Sequence, residues 1–357
     1  IHYADSFKPY IPISFGILFA IEWVYFLIHG FKGNINIEIL GFFLTTIGFA
    51  VAASATPDNM LKQLITAVLG IAAFIVLQFV YKNMDFVMKL RYYAGAFAIL
   101  ILGYNLIFGV NLNGAKNWIM IGKFSFQPSE IVKFLFIFTT AATLQNLLSK
   151  RNLILFLGFS AGCMGALVLM RDFGTCAIFF VTAMIILYMR SGDLKIVSAI
   201  AGVVAVGAVL VAKFVPYVQR RFATYRHVWE YAGDKGYQQT RTMIAIASGA
   251  LLGVGGGAGK LKYVPASDTD LVFGMICEEW GMIVGFCAVA CFIIFAIYSF
   301  KNVAFTNSAY FAIAACSAAG LWLFQISLNI FGSTDLLPLT GVTMPFISNG
   351  GSSMISS

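Results

Sequence analysis

Apolar stretches about as long as a bilayer-spanning helix recur from end to end of this 357-residue chain, and that recurrence limits its fold more than any other feature. A helix needs roughly 20 predominantly apolar residues to cross the hydrocarbon core. Within lipid every backbone polar group must be satisfied inside the spanning structure, which leaves only helices and closed barrels. The runs here have helix length and place spans near residues 11–29, 35–55, 61–80, 87–109, 129–149, 152–170, 174–190, 194–213, 270–299, 307–332 and from 342 onward, about eleven in all. They are too many for a signal peptide ahead of a soluble domain. Hydrophobic residues make up 60% of the chain and charged ones 11%, so no soluble domain fits in what remains. The expected fold is all-α, a polytopic membrane bundle. The last run stops at Ser357, short of a bilayer's thickness, and the chain opens on Ile1 and not Met, so both ends read as trimmed.

Orientation follows from the basic residues of the short loops. Lys32, then Lys82, Lys89 and Arg91, then Lys150 and Arg151, then Arg190 and Lys195, then Lys301 fall on alternate loops, which the positive-inside rule makes cytoplasmic. The opposite, external side holds "NLNGAKNWIMIGKFSFQPSE" and one long segment from about 213 to 269. Between Lys213 and Lys262 that segment carries eight basic residues against Glu230 and Asp234, a local charge of +6 within a chain of net +8. Long translocated loops have no topological need for such charge. It suits either diffuse attraction to anionic headgroups, at roughly 1 kcal/mol per residue, or a site for a phosphorylated lipid, where Arg supplies forked donors.

Several other chemistries are disfavoured. The six cysteines lie in apolar spans without a CxxC and read as packing residues, and the three histidines have no metal-ligand spacing. In "GALLGVGGGAGKLKY" the residues Gly253, Gly255 and Ala258 satisfy GxGxxA. The run lacks both the P-loop pattern and a preceding strand in a βαβ unit, so no nucleotide is expected. Its glycines instead allow close backbone approach to a ligand or a helix. No nucleic-acid partner is expected either.

Ionisable groups at membrane depth are costly and mark sites or pathways. In "FQPSEIVKFLF", Pro128, Ser129 and Glu130 suit a helix start. Glu130 and Lys133 then share a face, as a self-neutralising pair or as the wall of a polar cavity opening outward. Asp172 in "LMRDFGT" reads as a helix cap at the external interface or as part of that site. In "YVPASDTDLVFGMICEEWGMIVG", Pro265 breaks the chain and Ser267, Asp268 and Thr269 can cap a helix beginning near Asp270. Gly274, Cys277, Gly281 and Gly285 fall within about 60° of Asp270 at 100° per residue, a small-residue stripe that would turn Asp270 toward the bundle. Glu279 points the opposite way, and Glu278 lies nearer the stripe, placed to pair with another helix.

These segments, with "GAKNWIMIGKFSFQPSEIVKF", "VQRRF", "GYQQTRTMIAIASGALLGVGGG" and "PLTGVTMPFISNGGSS", run in order from about Ile35 to the C-terminus and resemble the SEDS family, whose members include RodA, FtsW and SpoVE. The resemblance implies a ten-helix SEDS-like core over 35–357, leaving residues 1–34 as an extra N-terminal span. It implies a multi-pass glycosyltransferase of the bacterial cytoplasmic membrane that polymerises lipid II on the outer face, releases undecaprenyl pyrophosphate and works with a class B penicillin-binding protein, the transpeptidase. The family's essential acid maps to Asp270, its Q-P-S-E-x-x-K to Gln127, Ser129, Glu130 and Lys133, and its Q-P-D-L-G-T to Asp172. Asp268 stands where His is usual, Met170 and Arg171 replace Gln and Pro, and Asn349 replaces the common Tyr before "GGSS".

Such chemistry needs a carboxylate to take the proton of the attacking hydroxyl and cations to offset charge on the pyrophosphate. Asp270 fits the base. Lys116, Arg220, Arg221 and Arg241, with Gln238, Lys262 and Ser352, are the substrate-binding candidates, and Lys133 could reach the same phosphates. Asp268 and Asp270 are candidate ligands for Mg²⁺ or Mn²⁺. A lipid II flippase and a non-enzymatic scaffold for the penicillin-binding protein are the alternatives. A flippase should show inverted repeats and charge through both leaflets, whereas no internal repeat is visible and the acids gather toward one side.

Overall fold

The computed structural model describes residues 8–30, 35–112, 114–121, 124–145, 149–303 and 305–357. Among them run thirteen α-helices: α1 (Tyr10–His29), α2 (Asn36–Ala55), α3 (Met60–Val80), α4 (Met84–Phe108), α5 (Pro128–Leu144), α6 (Lys150–Leu169), α7 (Phe173–Ser191), α8 (Leu194–Phe214), α9 (Pro216–Thr224), α10 (Tyr237–Gly249), α11 (Val272–Val303), α12 (Ala309–Ser333) and α13 (Gly351–Ser356). Nine of those described are long and apolar enough to cross a membrane, so the all-α polytopic expectation holds. Their starts follow local chemistry. Pro128 occupies the first turn of α5, where its missing N–H is no loss. Asn83, Ser149, Asp172 and Asp193 each accept a backbone N–H at the N-cap of α4, α6, α7 and α8. Between α4 and α5 the external segment folds into three short antiparallel strands, β1 (Val110–Leu112), β2 (Ala115–Ile121) and β3 (Phe124–Phe126).

Two packed cores divide the bundle. One joins α4, α5, α6 and α7 around Leu102, Phe136, Phe156 and Phe179. The other joins α2, α10, α11 and α12 around Val51, Met275, Phe292 and Ile326. The N-terminal helix α1 lies over α2 and α3, burying Leu18 with Phe49, Leu64 and Met354. By contrast α8 stands at the margin with no buried residue.

Two of the expected spans need correction. The span expected over 270–299 begins at Val272 and is broken at Gly281, whose φ of 86° is left-handed. At the break the segment after α10 enters the helix's hydrogen-bond ladder. The carbonyls of Glu278 and Glu279 accept from Val254 and Gly255 N–H, while Met282 and Ile283 N–H turn to the carbonyls of Ala250 and Leu251. The span expected from 342 onward starts only at Gly351. Pro345 lacks an amide proton and Phe346 takes φ 63°, so the apolar run "VTMPFIS" cannot propagate a helix. It forms instead a buried irregular loop, with Met344 and Ile347 in the second core.

The stripe on α11 meets the docked external loop. Gly274 packs on Thr242 and Leu261. At Gly249 of α10 a Cβ would lie 2.0 Å from the Cys277 carbonyl, so only glycine permits this approach. Glu278 does not pair with another helix. Its carboxylate accepts the amides of Lys260 and Leu261, each at 2.9 Å. Glu279 accepts Gly257 N–H at 3.0 Å and the Ser54 hydroxyl of α2 at 2.5 Å. The glycine run therefore wraps its own protein's carboxylates, supplying the hydrogen bonds that buried charge requires.

Candidate functional site

Asp270 lies in the irregular stretch just before α11, at the external end of the bundle. Its N–H reaches back to the Ala266 carbonyl at 3.0 Å, made possible by the positive φ of Ala266. Asn329 of α12 donates to the Asp270 carbonyl at 3.0 Å and to the Val342 carbonyl at 2.7 Å. Ser348 donates to the Thr269 carbonyl at 2.7 Å. The aspartate is thereby clamped between α12 and the buried loop after it. A Cβ placed on Gly341 would stand 3.3 Å from Asp270 Oδ2, so glycine leaves the carboxylate room there. Burial pushes the Asp270 carboxyl up to about 6. A hydrogen bond from Thr269 and the Arg221 guanidinium act the other way, while the charges of Asp268 and Asp172 push it further up.

Asp172 is both cap and network member. Its Oδ1 accepts Thr175 N–H at 3.0 Å, the capping bond of α7, and its Oδ2 accepts from Asn117 of β2. Asn117 also donates to Ser129 Oγ at 2.9 Å and accepts from Asn105 of α4 at 3.0 Å. Four elements thus converge on one carboxylate. Burial raises the Asp172 pKa, opposed by its Thr175 and Asn117 bonds. Asn117 and Asn105 were not singled out by sequence reasoning. No local pattern marks either one, because the partners that give Asn117 its place, Asn105, Ser129 and Asp172, lie in other elements.

Glu130 and Lys133 do pair, at 2.8 Å, and both are buried. The pair is not self-contained. Lys133 donates to Gln325 Oε1 at 2.8 Å, Gln325 donates to the Thr343 carbonyl at 2.8 Å, and Ser356 donates to Glu130 at 3.1 Å. A cavity of about 70 Å³ opens beside it, lined by both charges with Phe134, Trp322 and Gln325, which gives room for a few ordered waters.

The expected cations divide by position. Arg221 of α9 donates to the Leu339 carbonyl and is felt electrostatically at Asp270. Arg220 is on the same helix, with its side chain outside the described residues. Arg241 is exposed and lies over the Tyr237 ring at 5.2 Å. Lys116 donates to the Leu106 and Ile107 carbonyls at the end of α4, and Lys262 donates to the Gly257 carbonyl at 2.5 Å. Gln238 donates to the Pro265 carbonyl at 2.9 Å, steadying the approach to Asp270. Ser352 Oγ accepts Gln127 N–H at 3.3 Å, joining the starts of α5 and α13.

Asp268 turns to other partners. Its Oδ2 accepts from Asn349 at 2.9 Å and Thr56 at 3.3 Å, and its carbonyl accepts Asn349 N–H at 2.8 Å. Two of the four positions that depart from the family pattern, Asp268 and Asn349, therefore meet each other. Asp268 Oδ2 is thus taken up by two donors, and among the described residues no group of three or more His, Cys, Asp or Glu side chains is placed to hold a metal.

The sequence model of the FTSW_RODA_SPOVE family, described as cell cycle protein, matches residues 33–357. The chain is 33% identical to a protein of Coxiella burnetii over 72% of this chain and 72% of that one, and 31% identical to one of Pseudomonas fluorescens over 86% and 78%; both bear the name Probable peptidoglycan glycosyltransferase FtsW. Its fold is similar to a chain solved in work on the structural coordination of polymerization and crosslinking by a peptidoglycan synthase complex, with TM-score 0.75 and 22% identity over 91% of this chain and 94% of that one. It is also similar to the rod shape determining protein RodA of Thermus thermophilus, with TM-score 0.68 and 20% identity over 91% and 93%.

Proposed function

This chain belongs to the FtsW, RodA and SpoVE family, and from that premise we propose that it is a peptidoglycan glycosyltransferase that polymerises lipid II at the outer face of the bacterial cytoplasmic membrane, with Asp270 as general base. The observation that carries the mechanism is the Asp270 carboxyl itself: clamped at the external end, pushed up to about 6 by burial, and near the Arg221 cation. A base poised near the working pH combines a large ionised fraction with useful proton affinity.

In the reaction the 4-hydroxyl of one lipid-linked sugar attacks the anomeric carbon of another. A C–O bond forms there as the bond to the lipid pyrophosphate breaks, and the electron pair leaves with the pyrophosphate. Asp270 receives the hydroxyl proton. Arg221 offsets charge on the departing group, and the Glu130–Lys133–Gln325 network with Asp172 shapes the polar wall. The curated relatives' name supports the reaction class, and the likeness to a chain of a peptidoglycan synthase complex fits a class B penicillin-binding protein as partner. No step is routed through Mg²⁺ or Mn²⁺.

The test is polymerisation of fluorescent lipid II by purified protein with its partner. Asp270→Asn should yield no glycan while matching the wild type in monodispersity and melting temperature. Polymer from that variant at the wild-type rate would remove Asp270 as base.

A further inference from the structure

We propose that the turn Ala250–Val254 is a leaflet anchor, its leucines inserted among the outer-leaflet acyl chains and Lys260 set at the lipid phosphates. Leu251 is 59% exposed, Leu252 81% and Val254 45%, an apolar tip that the described residues leave uncovered. Its depth is fixed by the break in α11. From Met282 to Val303 the helix continues for 22 residues, about 33 Å at 1.5 Å per residue against a hydrocarbon core of about 30 Å. Gly281 therefore stands at the outer boundary. An independent marker agrees: Glu279, two residues before Gly281, accepts from Ser54 at the external end of α2.

The leucine turn is bound to that level by its backbone, through Met282 N–H to the Ala250 carbonyl at 2.9 Å and Ile283 N–H to the Leu251 carbonyl at 3.3 Å. The next exposed apolar side chains down α11 are Ile283 and Phe286, at 49% and 62%, the beginning of a face that meets lipid over the rest of the span. Leu251 and Leu252 continue it upward. The exposed Lys260 and the 79% exposed Tyr263 follow the tip within the same segment. This is the order of apolar, aromatic and basic groups that an interface with anionic lipid selects. The occupant is lipid because the tip is continuous with a lipid face, lies at leaflet depth and carries basic charge at headgroup height.

The anchor would do more than hold a loop. The same segment carries α10, whose Gln238 and Gln239 donate to the carbonyls of Pro265 and Gly332 on either side of the Asp270 clamp. Lipid contact at the tip therefore holds the roof of the site to the bilayer.

The test places bimane at Leu252→Cys, and separately at Val254→Cys, in a Cys287→Ser background, since Cys287 is the exposed native cysteine. The protein is reconstituted in phosphatidylcholine–phosphatidylglycerol vesicles. Lipids brominated just below the headgroup should quench both labels about twofold or more while aqueous iodide leaves them bright. A label at Lys235→Cys, in the polar external turn, should respond in the reverse sense. Iodide quenching at Leu252 and Val254 would place the tip in water, and protection from both quenchers would mean that protein covers it; either result overturns the proposal. The readout needs no activity, so it stands apart from the test of Asp270.

Discussion

At the scale of single residues, the neighbours of Asp270 set when it can work. The base accepts a proton only when ionised, so lipid II polymerisation should decline as pH falls through about 6. Arg221 favours the ionised form. Arg221→Gln should therefore raise the Asp270 pKa and move the acid limb of the pH–rate profile upward, and an unmoved limb would count against their coupling. Asn349→Asp sets two carboxylates together at the contact with Asp268, and should cut activity about tenfold or more by repulsion. Moving the amide instead, in Asp268→Asn with Asn349→Asp, should recover much of it, because one donor and one acceptor again face each other. If double and single variants are equally impaired in the same assay, the contact does not position Asp270. Exchanging Glu130 and Lys133 tests the polar wall: Gln325 and Thr343 are arranged for an ammonium at 133, so the swapped protein should lose most of its glycan synthesis. The Glu130–Lys133 spacing and the cap at Asp172 were legible in the sequence, because i,i+3 neighbours and N-caps are local. Asn117 was not, since its partners lie 12 and 55 residues away.

Among the elements, α10 and α11 show how a local pattern can be read correctly and its partner missed. The stripe Gly274, Cys277, Gly281, Gly285 announced a close approach, but periodicity cannot say that the approaching backbone belongs to the external loop. Hydropathy likewise joined the short external piece of α11 to its spanning piece and made a helix of 342–350, because it registers apolar side chains and not the φ of Gly281 or Phe346. The packing gives a sharp expectation. Gly249→Ala must place a methyl against the Cys277 carbonyl and should destabilise by about 2 kcal/mol, typical of overpacking. Gly233→Ala, where nothing lies within 4 Å, should be neutral. Melting temperatures in detergent compare the two, and equal values would show that α10 is not held at Gly249.

For the molecule as a whole, the all-α polytopic architecture came from hydropathy, a quantity that depends on composition along the chain, although about eleven spans were expected and nine of the described helices are long and apolar enough to cross a membrane. The arrangement of helices did not, because lipid supplies no pattern to say which apolar face meets which helix. α1 illustrates the consequence: it lies outside the family match, and it packs chiefly on α2 and α3. Removing residues 1–34 exposes Phe49 and Leu64 to acyl chains as apolar as the side chains they replace. The shortened protein should insert, purify as a monodisperse species and keep the bulk of its polymerising activity; loss of glycan synthesis despite normal insertion would give α1 a part in the site. The cradle around Glu278 and Glu279 also bears on how the chain is made. The amides that receive these carboxylates precede them by 17 to 22 residues, so during synthesis the glycine segment is translocated first. The most acidic stretch of α11 then emerges from the insertion machinery to meet hydrogen-bond donors already waiting at the membrane's outer edge.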